Sequence, residues 1–154
     1  QRLNLERIRV NGLELAAAWR PTPALTLDAA VLFNDATVRS APVARTLEGR
    51  RLAQVPRRSA TFSAAWRAPS GLMISGRARA LGRQFEDDEN QLVLGAVVVT
   101  DATVSMPAGR HTEVFLSVEN AGDARIETGR GADGVINVAG PRAWRGGLRA
   151  RARR

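Results

Sequence analysis

Alternation with a period of two recurs along this chain, and it restricts the available folds more than any other feature. In LTLDAAVLF, Leu25, Leu27, Ala29, Val31 and Phe33 share one side, and Thr26, Asp28, Ala30, Leu32 and Asn34 share the other. SATFSAAWR sets Ala60, Phe62, Ala64 and Trp66 against Ser59, Thr61, Ser63 and Arg67. LMISGRARAL sets Leu72, Ile74, Gly76, Ala78 and Ala80 against Ser75, Arg77 and Arg79. VVTDATVSM opposes Val98, Ala102, Val104 and Met106 to Asp101, Thr103 and Ser105, and TEVFLSVEN opposes Val114, Leu116 and Val118 to Glu113, Ser117 and Glu119. At the end, Trp144, Gly146, Leu148, Ala150 and Ala152 oppose Arg145, Arg149, Arg151 and Arg153. A first run, near Arg7 to Trp19, puts Leu13, Leu15, Ala17 and Trp19 on its apolar side. Neighbouring side chains of a strand point to opposite faces, so each run reads as a strand with one apolar face.

The predicted class is therefore all-β, an antiparallel up-and-down meander. Its strands number about seven, each of ~10 residues, which is the length of a tilted membrane strand and longer than the five or six usual in water-soluble sheets. The connections alternate. RPTPA (Arg20 to Ala24), APSG (Ala68 to Gly71) and PAGRH (Pro107 to His111) are short, with Pro and Gly to supply the backbone angles of a tight reversal. Val38 to Arg58, Glu86 to Gly95 and Ala121 to Arg142 are long and rich in charge, Gly and Pro. Strict alternation puts all tight turns at one end of the sheet. It also explains why AAAWRPTPALTLDAAV is echoed by SAAWRAPSGLMISGRA: a meander returns to the same edge every second strand. In each echo a Trp sits beside the turn, where an aromatic ring suits a membrane–water boundary. The meander is thus expected to be part of a larger transmembrane β-barrel, because an open sheet would leave unpaired edges in lipid.

Composition adds bounds. A chain of 154 residues is one domain or a piece of something larger, and a start at Gln1 reads as a processed product or fragment. No apolar run approaches the ~18 residues of a spanning helix. The absence of Cys excludes disulfides and thiolate metal sites. The formal charge of +8 comes with 23 basic residues, all of them Arg. Such an excess suits an anionic partner, but with so much Ala and Gly it also reads as the mark of a GC-rich genome.

The placement of the arginines is more informative. Arg77, Arg79, Arg145, Arg149, Arg151 and Arg153 all lie opposite the apolar face of their strands. Lipid-facing Arg near the bilayer centre costs about 2–4 kcal/mol each, so strand parity makes these the candidate lumen-facing residues. They are expected to pair with carboxylates such as Asp28, Asp101 and Glu119, or to attract anionic cargo.

Catalytic chemistry has little to build on. His111, the only histidine, lies in a tight turn, and no triad pattern joins it. GRGADG precedes VINVAG, not a helix, so it lacks the context of a dinucleotide-binding turn and reads as an outer loop. The acidic stretch from Glu86 to Asn90 lacks the spacing of a calcium loop and reads as a solvated loop tip. The expectation is no enzyme, no cofactor and no metal site. Glu86, Asp87, Asp88, Arg130 and Asp133 are the candidate loop contacts.

Five segments, in order, resemble the C-terminal barrel strands of TonB-dependent outer-membrane receptors. RIRVNGLELAAAWRPTPALTLDAA is similar to the family's strand followed by a W-R-P-type turn, and LEGRRLAQVPRRSATFSAAWR to its G-x-x-L-x-x-V-P return from an outer loop. LGRQFEDDENQLVLGAVVVTDATVS resembles a strand ending in an acidic, Asn-containing loop, followed by a strand with a D-x-x-hydrophobic signature. VFLSVENAGDARIETG and AGPRAWRGGLRARARR resemble the penultimate and closing strands. The sequence departs from that pattern at Ala121-Gly122, where Leu-Phe is usual, at Ile126 in place of Tyr, and at Arg153-Arg154 in place of a final aromatic. The resemblance implies residues 1–154 as the last third of a barrel lacking its plug domain, in a bacterial outer membrane, with TonB, the plug and membrane lipid as partners. It implies energised uptake of a scarce nutrient such as a ferric siderophore, with no nucleic acid partner. Two other readings stand beside it: a soluble Arg-rich sheet binding an anionic polymer, and a non-functional truncated remnant. The first needs aromatics among the arginines for stacking, and the arginine faces hold almost none.

Overall fold

The computed structural model describes residues 7–150. The strands are β1 (Arg7–Thr22), β2 (Leu25–Ser40), β3 (Arg58–Arg67), β4 (Met73–Leu81), β5 (Gln84–Phe85), β6 (Val93–Leu94), β7 (Val97–Pro107), β8 (Thr112–Glu119), β9 (Glu127–Arg130), β10 (Ile136–Val138) and β11 (Ala143–Ala150). Seven of them form one antiparallel sheet in the order β1-β2-β3-β4-β7-β8-β11, each pairing with its neighbour along the main meander. The two remaining pairs, β5 with β6 and β9 with β10, are small hairpins inside the long connections.

Register is what makes the alternation add up. Leu13 pairs with Phe33, Leu15 with Val31 and Trp19 with Leu27. Leu27 then faces Ala64, and Ala29 faces Phe62. Phe62 opposes Ala78 and Trp66 opposes Ile74, and Ile74 opposes Val104. Val104 opposes Leu116, and Val114 opposes Leu148. A slip of one residue at any pairing would turn a strand's apolar set to the polar side. In this sheet the register shifts only at the two ends of the β1–β2 pairing, between Arg7 and Ile8 and between Trp19 and Thr22, and between those points one apolar face continues across all six pairings.

The tight turns at Pro23–Ala24, 68–72 and 108–111 share one end of the sheet, as the sequence predicts. Gly71 and Gly109 there have φ of +86° and +111°, angles that disfavour a side chain. Trp19 and Trp66 lie on the apolar face beside these turns, and Trp144 lies on the same face near the opposite end. In β2, Leu25 to Phe33 covers about 27 Å of strand, which a tilt of ~40° would shorten to about 21 Å, close to an apolar band of ~25 Å.

Two elements are longer than expected. β1 and β2 each have 16 residues. Strand β1 runs past Trp19 to Thr22, and β2 runs past Val38 to Ser40. The outer third of β2 was hard to read because the pattern inverts. Beyond the Leu13–Phe33 pair, the next residues on that face are Asn11 opposite Asp35 and Arg9 opposite Thr37. The other face there carries Val10 opposite Ala36, and Ile8 opposite Val38. Ala36 and Val38 are buried, and Val38 packs with Ala41 and Leu47 of the connection that follows. The apolar residues thus change sides between Phe33 and Ala36, and those beyond the change pack against the connection that follows β2.

Candidate functional site

The polar face of the meander carries the arginines. Arg79 lies opposite Thr61 and Val99, and its Nη2 donates to the Asp101 carboxylate at 3.2 Å. Arg145 Nη1 donates to Glu119 at 2.7 Å, and Arg149 Nη1 donates to Glu113 at 3.0 Å. These pairs are cross-strand neighbours whose arginines remain largely open to solvent, so each contributes about 1 kcal/mol at most. Arg149 also lies over the Phe115 ring, 5.1 Å from its centre. Arg77 sits between Ser63 and Asp101 in the register but forms no ion pair among the described residues. Two of the three expected carboxylate partners, Asp101 and Glu119, hold arginines. Asp28 instead accepts from the Ser63 hydroxyl at 3.4 Å. Arg151 and Arg153 lie outside the described residues.

Asp101 does two jobs. Besides Arg79, it accepts the backbone N–H of Asn120 at 3.0 Å, which fixes the exit of β8 against β7. Asn120 is buried and closes the next turn through both side-chain atoms, to the N–H and the carbonyl of Ala124 at 2.9 Å each. A recess of about 640 Å³ opens here between the polar face and the last long connection, lined by Arg79, Asp101, Ser117, Glu119 and Arg145 and roofed by Ile126 and Pro141.

The three long connections are tied to one another. Asn90 brackets Arg51, accepting its N–H at 2.7 Å and donating to its carbonyl at 2.8 Å. Gln54 donates to the Glu86 carboxylate at 3.3 Å, and Arg51 lies over Phe85. Glu127 accepts the Gly95 N–H at 3.0 Å, joining the second connection to the third. The Gly95 N–H, with help from the Arg130 and Arg125 charges, holds the Glu127 carboxyl below its ordinary range. For Asp87, burial pushes upward, but the N–H groups of Leu92 and Gln91, at 2.6 and 3.0 Å, outweigh it and keep the pKa low.

The candidate loop residues are therefore mostly committed to the loops themselves. Glu86 meets Gln54, Asp87 caps its own turn, Arg130 pairs with Glu127 at 3.5 Å, and Asp133 accepts the Val135 N–H at 3.1 Å. Asp88 is exposed at the tip. Sequence reasoning missed Gln54, Asn90, Asn120 and Asp123, the last of which accepts the Arg142 N–H at 2.9 Å, as the organisers. All four have positive φ, a conformation that Asn and Asp tolerate best after Gly, and for the three other than Gln54 an Asn or Asp among loop residues was the available signal. No group of three or more His, Cys, Asp or Glu able to hold a metal ion exists among the described residues.

A family model described as TonB dependent receptor-like, beta-barrel matches residues 1–121. Among solved structures, the chain is similar to the ferric yersiniabactin uptake receptor FyuA from Yersinia pestis, at 24% identity and a TM-score of 0.79, over 92% of this chain and 23% of that one. It is similar to the siderophore receptor PiuA from Acinetobacter baumannii, at 18% identity and a TM-score of 0.78, over 92% of this chain and 21% of that one. It is also similar to BauA, the ferric preacinetobactin receptor from the same species, at 18% identity and a TM-score of 0.77, over 92% and 22%. The chain thus spans under a quarter of the length of these structures, and at such identities the likeness shows the fold. No curated protein matches.

Proposed function

The chain belongs to the TonB-dependent receptor β-barrel family, and on that premise we propose that it is a section of barrel wall in an outer-membrane receptor for energised uptake of a scarce nutrient, of the ferric-chelate class. The observation that carries this reading is the unbroken apolar face across six strand pairings, backed by a polar face whose charges are largely paired. A wall between lipid and a wet lumen needs both properties. The names of the similar structures, two of them receptors for ferric compounds and one a siderophore receptor by title, support the cargo class.

In this role the protein does no covalent chemistry. The tied loops form an outer rim that contacts cargo, and the arginine-bearing face lines the lumen beside a plug domain, whose rearrangement by TonB releases the cargo inward. The recess bounded by Arg79, Asp101, Glu119 and Arg145 is where lumen contents would meet this section of wall. The test is accumulation of radioiron, supplied as ferric citrate and as a ferric hydroxamate, in cells with and without the gene encoding this chain. Loss of accumulation of either chelate on deletion of that gene, and equal loss on deletion of TonB, is the expected result. Accumulation of both chelates that ignores either deletion overturns the reading.

A further inference from the structure

The apolar face is not uniform. Near its loop end lies an open groove of about 500 Å³. Its floor is made of small residues, Ala60 opposite Ala80, while Phe33 and Val98 stand as ridges on the flanking strands. Its upper end is closed by Arg58, which pairs in register with Phe33 and so sits on the lipid side, at the level where the apolar face stops. An arginine in that position costs little only because its long stem reaches the interface, where it seeks an anion. The Arg58 side chain has no carboxylate partner among the described residues. The carboxylate at the same rim, Asp35, is already paired with Arg57 at 3.5 Å.

We propose that this groove binds a phosphorylated membrane lipid of the loop-side leaflet, with one acyl chain over Ala60 and Ala80 and the phosphate on the Arg58 guanidinium. The charge at one end and the apolar trough below it match the two halves of such a lipid. A planar guanidinium donates two parallel hydrogen bonds to a phosphate, which a choline headgroup's cation would offset. The inference rests on the barrel-wall reading above, and its test separates the two.

The protein is placed in nanodiscs made of equal parts phosphatidylglycerol and phosphatidylcholine with identical acyl chains, and the lipids it keeps on release are counted by native mass spectrometry. Wild type is expected to keep phosphatidylglycerol about fivefold over phosphatidylcholine, the factor one interfacial arginine supplies. Arg58→Gln should equalise the two, and Ala80→Phe, which fills the trough, should reduce retention of both. Ala60→Phe fills the same trough from the neighbouring strand and serves if Ala80→Phe does not fold. Added inorganic phosphate should leave the preference intact. An unchanged preference in Arg58→Gln, unchanged retention in the filled variants, or loss of the preference to free phosphate overturns the site. Equal retention of both lipids by wild type overturns the site but leaves the wall, whereas failure to keep any lipid overturns both.

Discussion

Leu116 and Ser117 are adjacent in β8, yet Leu116 belongs to the face shared by Val104 and Gly146, and Ser117 to the face shared by Thr103 and Arg145. The same substitution should therefore have two different costs. Leu116→Arg puts a guanidinium among lipid chains and is expected to destabilise the folded protein in bilayers by about 2–4 kcal/mol. Ser117→Arg adds a charge to a wet face, opposite Arg145 and beside Glu119, and should cost less than about 1 kcal/mol. Denaturant titration of both variants in the same liposomes measures the difference, and equal costs would refute the assignment of faces. Gly147 makes the complementary point on the polar face. A Cβ there would lie 3.0 Å from the Phe115 ring, so the glycine admits the ring that also supports Arg149.

At the scale of elements, the loops are held by polar contacts whose strength depends on charge. Asn90→Ala removes two hydrogen bonds to the Arg51 backbone and should loosen the first long connection from the second by about 1–2 kcal/mol, read as lost hydrogen-exchange protection at Arg51 with β3 and β4 unaffected. The carboxylates of Asp87 and Glu127 both have lowered folded-state pKa values. A lowered value means stability that is fully present above the ordinary carboxylate range and is lost as pH falls through the folded value. Acidification below pH ~4 should thus release residues 86–95 and 127–138 while the main sheet keeps its protection, with exchange corrected for its intrinsic pH dependence. Protection in those segments that is flat across this range would show that the two carboxylates do not hold the loops. The contrast between sheet and loops also explains what was legible in advance. The strands announce themselves through side-chain parity, and parity alone located Arg77, Arg79, Arg145 and Arg149 on the polar face. The loop acids were visible as charges, but Asp87, Glu127 and Asp133 are held by backbone N–H groups, which leave no mark in a sequence. The outer end of β2 was misjudged for a different reason: the apolar set changes sides between Phe33 and Ala36, so the alternation there argues against itself.

For the molecule as a whole, the seven strands make one surface with two environments, and the boundary between them runs along every strand at once. The absence of native Cys gives a clean background for testing this with single cysteines. In bilayers, thiols at Leu15, Val31 and Leu116 should resist a membrane-impermeant maleimide and be quenched by lipid-borne spin labels when carrying a fluorophore. Thiols at Thr61, Ser63, Thr103 and Ser117 should react from water. The decisive positions are Asn11 and Asp35, which share the parity of Leu13 and Phe33 but lie beyond the apolar band. If the pattern inversion marks the bilayer limit, these two react with the maleimide although they point to the lipid side. A soluble sheet would give no lipid quenching anywhere. A barrel inserted deeper than the Phe33 level would protect Asn11 and Asp35 along with Val31. Reactive Asn11 and Asp35 beside a protected Val31 is therefore the one outcome that requires both the barrel wall and the position of its outer edge.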